Sequence, residues 1–332
     1  MSFKSLAVFP GLRDRGRPDF LTLPRRRCYL SLVDPSSHFQ KRIDKNMNDQ
    51  GGEMDIREPE ITRDDILVLQ DPDFNPDHVC LVSGSATGIG RAVALAAAVN
   101  GLTVVGLDVN EAEAEKTVAR AAGLGGRAHF IPTDLNRDED MERAVARAAG
   151  LGRIRYLINV AGMQHIDSVE NFPMEKYDLM QRVMLRAPFY LSQLTIPHMK
   201  GGPDGAGVIG HMASVHAHIT TRNKPVYNIT KFGLRALAQS IAAEGEGRVR
   251  SFTVSTGFVR TPLALNQIPA QAAQRGISQE EVVSEVMMGA SRVKEMMKPV
   301  EVANLFIFGL SRYARYLVGG DMLFDGGMVL TY

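Results

Sequence analysis

The feature that most constrains this chain is a change of rhythm after His78, where short apolar runs begin to alternate with amphipathic stretches long enough to be helices. Short apolar runs separated by amphipathic stretches read as βαβ units, which bury a parallel sheet between two helical layers. The strand candidates are Val79 to Ser83, Leu102 to Asp108, Arg127 to Ile131, Ile154 to Val160, Gly207 to Ala213, Val249 to Ser255 and Met322 to Asp325. Between them lie helix candidates Ile89 to Val99, Glu111 to Ala122, Asp138 to Ala149, Met174 to Met199, Pro225 to Glu244 and Val300 to Ser311. Pro188 removes a backbone donor inside the fourth of these and should kink it. The expected fold class is therefore α/β, a single doubly wound domain with a seven-stranded parallel sheet over residues 77–332.

The preceding residues differ in kind. Residues 1–46 hold ten Lys or Arg against four Asp, whereas 47–78 hold ten acids against Arg57 and Arg63, with Pro59, Pro72 and Pro76 interrupting any long element. This predicts a partly disordered extension over 1–76. A coding start at Met47 or Met54, or an Arg-rich transit peptide opposed by Asp14 and Asp19, are the alternatives for that segment.

Charge and apolar content exclude whole classes of function. Lys and Arg (38) balance Asp and Glu (37), which removes the basic footprint of a nucleic-acid binder. The longest apolar run, Ala92 to Val99, falls far short of the ~20 residues that span a bilayer. Leu6 to Phe9 supplies no secretory h-region, and Cys28 and Cys80 are too few for a disulfide framework or a cysteine-rich metal site. A cytoplasmic protein without nucleic-acid or membrane partners and without a metal is the expectation.

Chemistry enters at Ser83-Gly84-Ser85-Ala86-Thr87-Gly88-Ile89-Gly90, a glycine-rich turn between the first strand and the first helix. Such glycines let the backbone turn tightly and approach a pyrophosphate, with free helix amides facing its charge. Asp108 ends the second strand, where a carboxylate accepts from the adenosine ribose hydroxyls and repels a 2′-phosphate. Val109 and Asn110 supply no cation to hold one, so the cofactor expected is NAD and not NADP. Tyr227 and Lys231, four apart, share a helix face, so the ammonium should lower the phenol pKa and make Tyr227 a usable proton acceptor. Ser214 precedes them at a strand end, with a hydroxyl able to hold the substrate oxygen.

From Val79 to Tyr332 these residues resemble the short-chain dehydrogenase/reductase family, whose T-G-x-x-x-G-x-G loop appears as Ser83 to Gly90 with serine leading. The resemblance implies a Rossmann-like, homotetrameric oxidoreductase with Ser214, Tyr227 and Lys231 catalytic. It implies cofactor contacts at Gly84, Thr87, Gly88, Ile89, Gly90, Asp108, Asp134, Leu135, Ala161, Gly162, Tyr227, Lys231, Val259 and Thr261. Within the family, Ala161 to His165, Val169 to Pro173, Ala213 to His216 and Lys224 to Tyr227 are similar to the bacterial D-3-hydroxybutyrate dehydrogenases. That similarity implies reversible oxidation of (R)-3-hydroxybutyrate to acetoacetate, with Gln164, His216, Lys224 and Gln267 holding the substrate carboxylate next to Ser214 and Tyr227.

Each of these residues has a blander reading alone: a solvated Lys224, loop glutamines, or a His216/His218 pair hinting at metal without nearby acids. Residues 262–298, rich in Ala, Gln, Met and Glu, are read as a mobile substrate lid. Three positions depart from the family pattern: Val160 stands in its Asn-Asn-Ala-Gly, Met184 where an asparagine positions a relay water, and Thr256 where proline is expected. Two rival readings are a dehydrogenase of a neutral or cyclic alcohol, and an NAD-binding sensor or scaffold.

Overall fold

Along the strand His78–Ser83 (β1) successive side chains feed opposite layers: Cys80 and Val82 join one buried cluster, Val79 and Leu81 the other. The computed structural model describes residues 58–330, and within them the same alternation repeats across the sheet. The remaining strands are Thr103–Asp108 (β2), Arg127–Pro132 (β3), Arg153–Asn159 (β4), Gly207–Met212 (β5), Val249–Thr256 (β6) and Asp321–Phe324 (β7). All pair in parallel, in the order β3-β2-β1-β4-β5-β6-β7. This is the Rossmann-like α/β fold expected from the sequence, and every predicted strand forms to within a residue or so of its bounds.

One layer carries the helices Gly88–Val99 (α1) and Pro299–Leu310, while Asp138–Ala149, Ala187–Lys200 and the apolar stripe of Pro225–Glu244 cover the other. Strand order reverses between β1 and β4, and at such a switch point the carboxyl ends diverge into a crevice. The long fourth helix is not simply kinked at Pro188. Met174–Gln181 is α-helical, Arg182–Arg186 is a π-helical turn, and Ala187–Lys200 restarts with Pro188 near its beginning. The wider turn places the missing proline donor at a helix start, where no intrahelical partner is needed.

The boundary at residue 76 needs correction. Ile61, Ile66 and Phe74 are buried in the cluster that contains α1. Phe74 meets Tyr156 edge to face with ring centroids 5.9 Å apart, and Asn100 brackets the passing backbone by accepting from the Leu69 amide at 2.9 Å and donating to the Leu67 carbonyl at 2.9 Å. Asp73 also pairs with the buried Arg155 guanidinium at 2.7 Å. Residues 58–76 are therefore part of the folded domain. Ile61 and Phe74 stand singly among prolines and acids, and the run Ile66 to Leu69 is too short to show a period, which is why the sequence pattern hides them. The rest of the expected extension, with Cys28, Met47 and Met54, lies outside the described residues.

Candidate active site

The crevice at the carboxyl ends of the strands is a cavity of about 460 Å³, and each residue assigned above to catalysis, cofactor or substrate lines it. Its floor is the glycine turn. Gly84 has φ +70°, and a Cβ there would sit 2.7 Å from the Ala161 Cα. A Cβ on Gly90 would lie 1.9 Å from the Gly84 carbonyl oxygen, so α1 can start this close to β1 only without a side chain. Thr87 precedes α1 in an extended conformation and its hydroxyl caps no helix amide, leaving the helix N-terminus open toward the cavity. Asp108 is fixed at the rim: one carboxylate oxygen accepts from the Ala86 amide and the other from the Asn110 amide, both at 3.0 Å. A free helix end, a turn no Cβ would tolerate and an oriented carboxylate make a donor and acceptor set that fits a dinucleotide.

Val160, the departure from the family's second asparagine, is held through its backbone. Ser83 Oγ accepts from the Val160 and Ala161 amides at 3.1 and 3.3 Å, tying the loop after β4 to the end of β1. Beneath it Asn159 contacts His211 Nδ1 at 3.2 Å, and both side chains are buried. Burial pushes the His211 pKa down to about 3, with the charge of Lys231 adding to it.

Ser214 leaves β5 in an extended conformation before the short turn Val215–Ala217. Asn223, in the left-handed region at φ 61°, turns the chain so that Lys224 and Pro225 open the helix Pro225–Glu244. One turn in, Tyr227 and Lys231 point to the same side, the ammonium 5.2 Å from the phenol ring centroid. The Lys231 Nζ donates to the Met212 carbonyl at 2.7 Å.

The expected lowering of the phenol does not appear in the protein alone. Burial pushes Tyr227 up to about 12, opposed only by its hydrogen bond to Ser214, and pushes Lys231 down to about 7. Desolvation of both groups outweighs their mutual effect.

The substrate side holds unmet donors. Gln164 Nε2 is buried without a hydrogen-bond partner. Lys224, partly buried, faces the Phe258 ring at 5.9 Å and has no anionic partner among the described residues; desolvation lowers its pKa. His216 and Gln267 differ from these two. His216 is hydrogen-bonded to Ser214 Oγ at 3.1 Å and to Thr221 Oγ1 at 2.9 Å, and Gln267 donates to the Leu263 carbonyl. Thr221 was not singled out from the sequence, because an exposed threonine five residues past a histidine carries no signal. His218, the other member of the alternating pair, turns away to Asp321 at 2.7 Å. Among the described residues, no group of three His, Cys, Asp or Glu could hold a metal ion, and no helix is long and apolar enough to cross a membrane.

Residues 84–329 match the family model described as enoyl-(acyl carrier protein) reductase. The chain is 32% identical over 253 residues to the D-beta-hydroxybutyrate dehydrogenase of Rhizobium meliloti, covering 74% of this chain and 96% of that one. It is 30% identical over 253 residues to the enzyme of the same name from Cupriavidus necator, covering 75% and 96%. Among solved structures, a short-chain type dehydrogenase/reductase from Mycobacterium marinum superposes with a TM-score of 0.70 at 24% identity, over 78% of this chain and 98% of that one. The chain belongs to the short-chain dehydrogenase/reductase family. It is an oxidoreductase of that family acting on a small molecule.

Proposed function

We propose that this oxidoreductase is NAD-dependent and reversibly oxidises (R)-3-hydroxybutyrate to acetoacetate. The observation that carries the reading is the pair of unmet donors, the Lys224 ammonium and the Gln164 amide, on the wall that also bears Ser214 and Tyr227. A partly buried cation without an anion is costly, and a carboxylate resolves both deficits with charge-assisted hydrogen bonds. The two relatives named for hydroxybutyrate support the same substrate class. Preference for NAD rests on the fixed Asp108 carboxylate at the rim.

When bound, the oxidised cofactor supplies the hydride acceptor and a positive charge beside Tyr227, which favours its phenolate. Ser214 holds the reacting oxygen while Tyr227 takes the hydroxyl proton. Lys224 and Gln164 fix the carboxylate end, which leaves the C3 hydrogen one direction to face, so positioning does much of the work. Gln267 and His216 join the grip only by exchanging a bond each already makes. The lid over 262–298, homotetrameric assembly and a cytoplasmic setting belong to the same reading.

The test is NADH formation from NAD with (R)-3-hydroxybutyrate, its (S) enantiomer and a neutral secondary alcohol in parallel, for the native enzyme and Lys224→Ala. Turnover restricted to the (R) acid is expected. Lys224→Ala should lose about 30-fold or more in kcat/KM for that acid, the worth of one charge-assisted bond, while NADH affinity holds. Equal turnover of the neutral alcohol, unaffected by Lys224→Ala, would transfer the assignment to an alcohol dehydrogenase.

A further inference from the structure

We propose that the proton collected by Tyr227 leaves the protein through Ser214, His216 and Thr221, so that His216 relays protons besides lining the substrate pocket. The proposal rests on the reading of Tyr227 as proton acceptor, but not on which alcohol is oxidised.

Two hydrogen bonds lead outward from Ser214, which adjoins the Tyr227 phenol and holds its pKa down against burial. Ser214 Oγ lies 3.1 Å from His216 Nδ1, and Thr221 Oγ1 lies 2.9 Å from His216 Nε2. Ser214 and His216 are buried, whereas Thr221 is exposed to solvent. The His216 ring is held edge-on to Tyr227, centroids 5.4 Å apart at 85°, which fixes which nitrogen faces inward. Burial, with Lys224 and Lys231 nearby, keeps the imidazole neutral. A neutral imidazole has one donor and one acceptor nitrogen, the polarity a relay needs.

The opposite side of Tyr227 offers no such path. Met180 and Met184 are fully buried against Val226 and the tyrosine, and the Met184 sulfur lies 3.5 Å from the Met163 amide as its acceptor. The Lys231 ammonium gives one of its N–H groups to the buried Met212 carbonyl.

In the oxidation direction the Tyr227 proton passes to Ser214 Oγ, the Ser214 proton to His216 Nδ1, the His216 Nε2 proton to Thr221 Oγ1, and the Thr221 proton to water. Four O–H or N–H bonds break and four form, no electrons change hands, and Tyr227 is left as phenolate. Exchange of the imidazole tautomer through solvent, with rotation of the two hydroxyls, restores the starting polarity, and the reverse run supplies the proton for ketone reduction.

Thr221→Val tests the path with little risk to folding, since the residue is exposed and the replacement similar in shape. In the full-length enzyme kcat should fall about tenfold with KM near native, as for loss of one proton-transfer partner. The solvent deuterium isotope effect on kcat should grow, and added imidazole should restore turnover to His216→Ala. The rates are taken with both the hydroxy acid and a neutral secondary alcohol, so failure of the substrate assignment leaves the test standing. A native kcat in Thr221→Val, or a loss confined to KM for the acid without imidazole rescue, would overturn the relay in favour of anion holding. Nitrogen NMR of the protein without cofactor needs no turnover at all. The His216 ring nitrogens should shift in Thr221→Val and in Ser214→Ala, and resonances that ignore both substitutions would sink the proposal.

Discussion

The nucleotide half of the crevice and its substrate half are built from different materials. Around β1 to β3 the surface offered to a ligand is largely main chain: a left-handed Gly84, the open start of α1, and Asp108 pinned by two amides. Across the switch point it is side chains, with Gln164 and Lys224 unmet and Ser214, His216 and Thr221 linked to one another. Main-chain geometry is dictated by which residues lack a Cβ, so it leaves a motif in the sequence. Side-chain networks depend on neighbours the motif does not contain.

The largest expected effect separates the two halves. Tyr227→Phe removes the phenolic proton without changing the packing, so kcat should drop about 10³-fold while the NADH dissociation constant, read by fluorescence, stays within twofold. A matching loss of NADH binding would mean that the halves are one unit. Gly90→Ala attacks from the other direction: its methyl would sit 1.9 Å from the Gly84 carbonyl oxygen, so backbone must move. Overpacking of this kind should cost roughly 2–3 kcal/mol in urea unfolding and at least tenfold in NADH affinity.

A smaller effect comes from acid. Both buried histidines of the described residues, His211 and His216, belong to the substrate half. Burial holds His211 at about 3, so below about 6.5 the unfolded chain takes up a proton that the folded protein refuses. Stability should therefore fall with pH through the window from about 6.5 toward 3, by about 1.4 kcal/mol per pH unit for this histidine. His211→Asn should show a shallower decline than the native protein between pH 6 and 4.5; identical slopes would place the acid sensitivity elsewhere.

The same contrast explains what could be read before the structure. The strand and helix pattern, the glycine turn, Asp108 and the Tyr227/Lys231 spacing are local in sequence, and all reach the crevice as expected. The packing of Ile61, Ile66 and Phe74 was hidden because two single apolar residues and one short run without a period look like linker. The π turn at Arg182–Arg186 was hidden because Pro188 signals a break without saying on which side the chain absorbs it. The engaged state of His216 depends on Thr221, and the raised Tyr227 on desolvation in the crevice, neither of which spacing encodes.

The segment 262–298 leaves and rejoins the cavity wall at one place. Its base is clasped: the Met297 amide donates to the Phe258 carbonyl at 3.1 Å and the Arg260 amide to the Met297 carbonyl at 2.8 Å. Above that clasp Leu265, Ile268, Val282, Met287 and Met288 bury one another in a small core of their own. The Arg292 and Val293 amides add a second attachment by donating to the Gly326 carbonyl at 2.8 and 3.2 Å, and Phe258 and Met328 pack on the small core from outside the segment, so a loop with joined ends loses its ordering entropy once, at folding. Amides of 262–296 should then exchange with solvent together and ahead of the sheet, as one foldon that opens where its ends and Gly326 hold it.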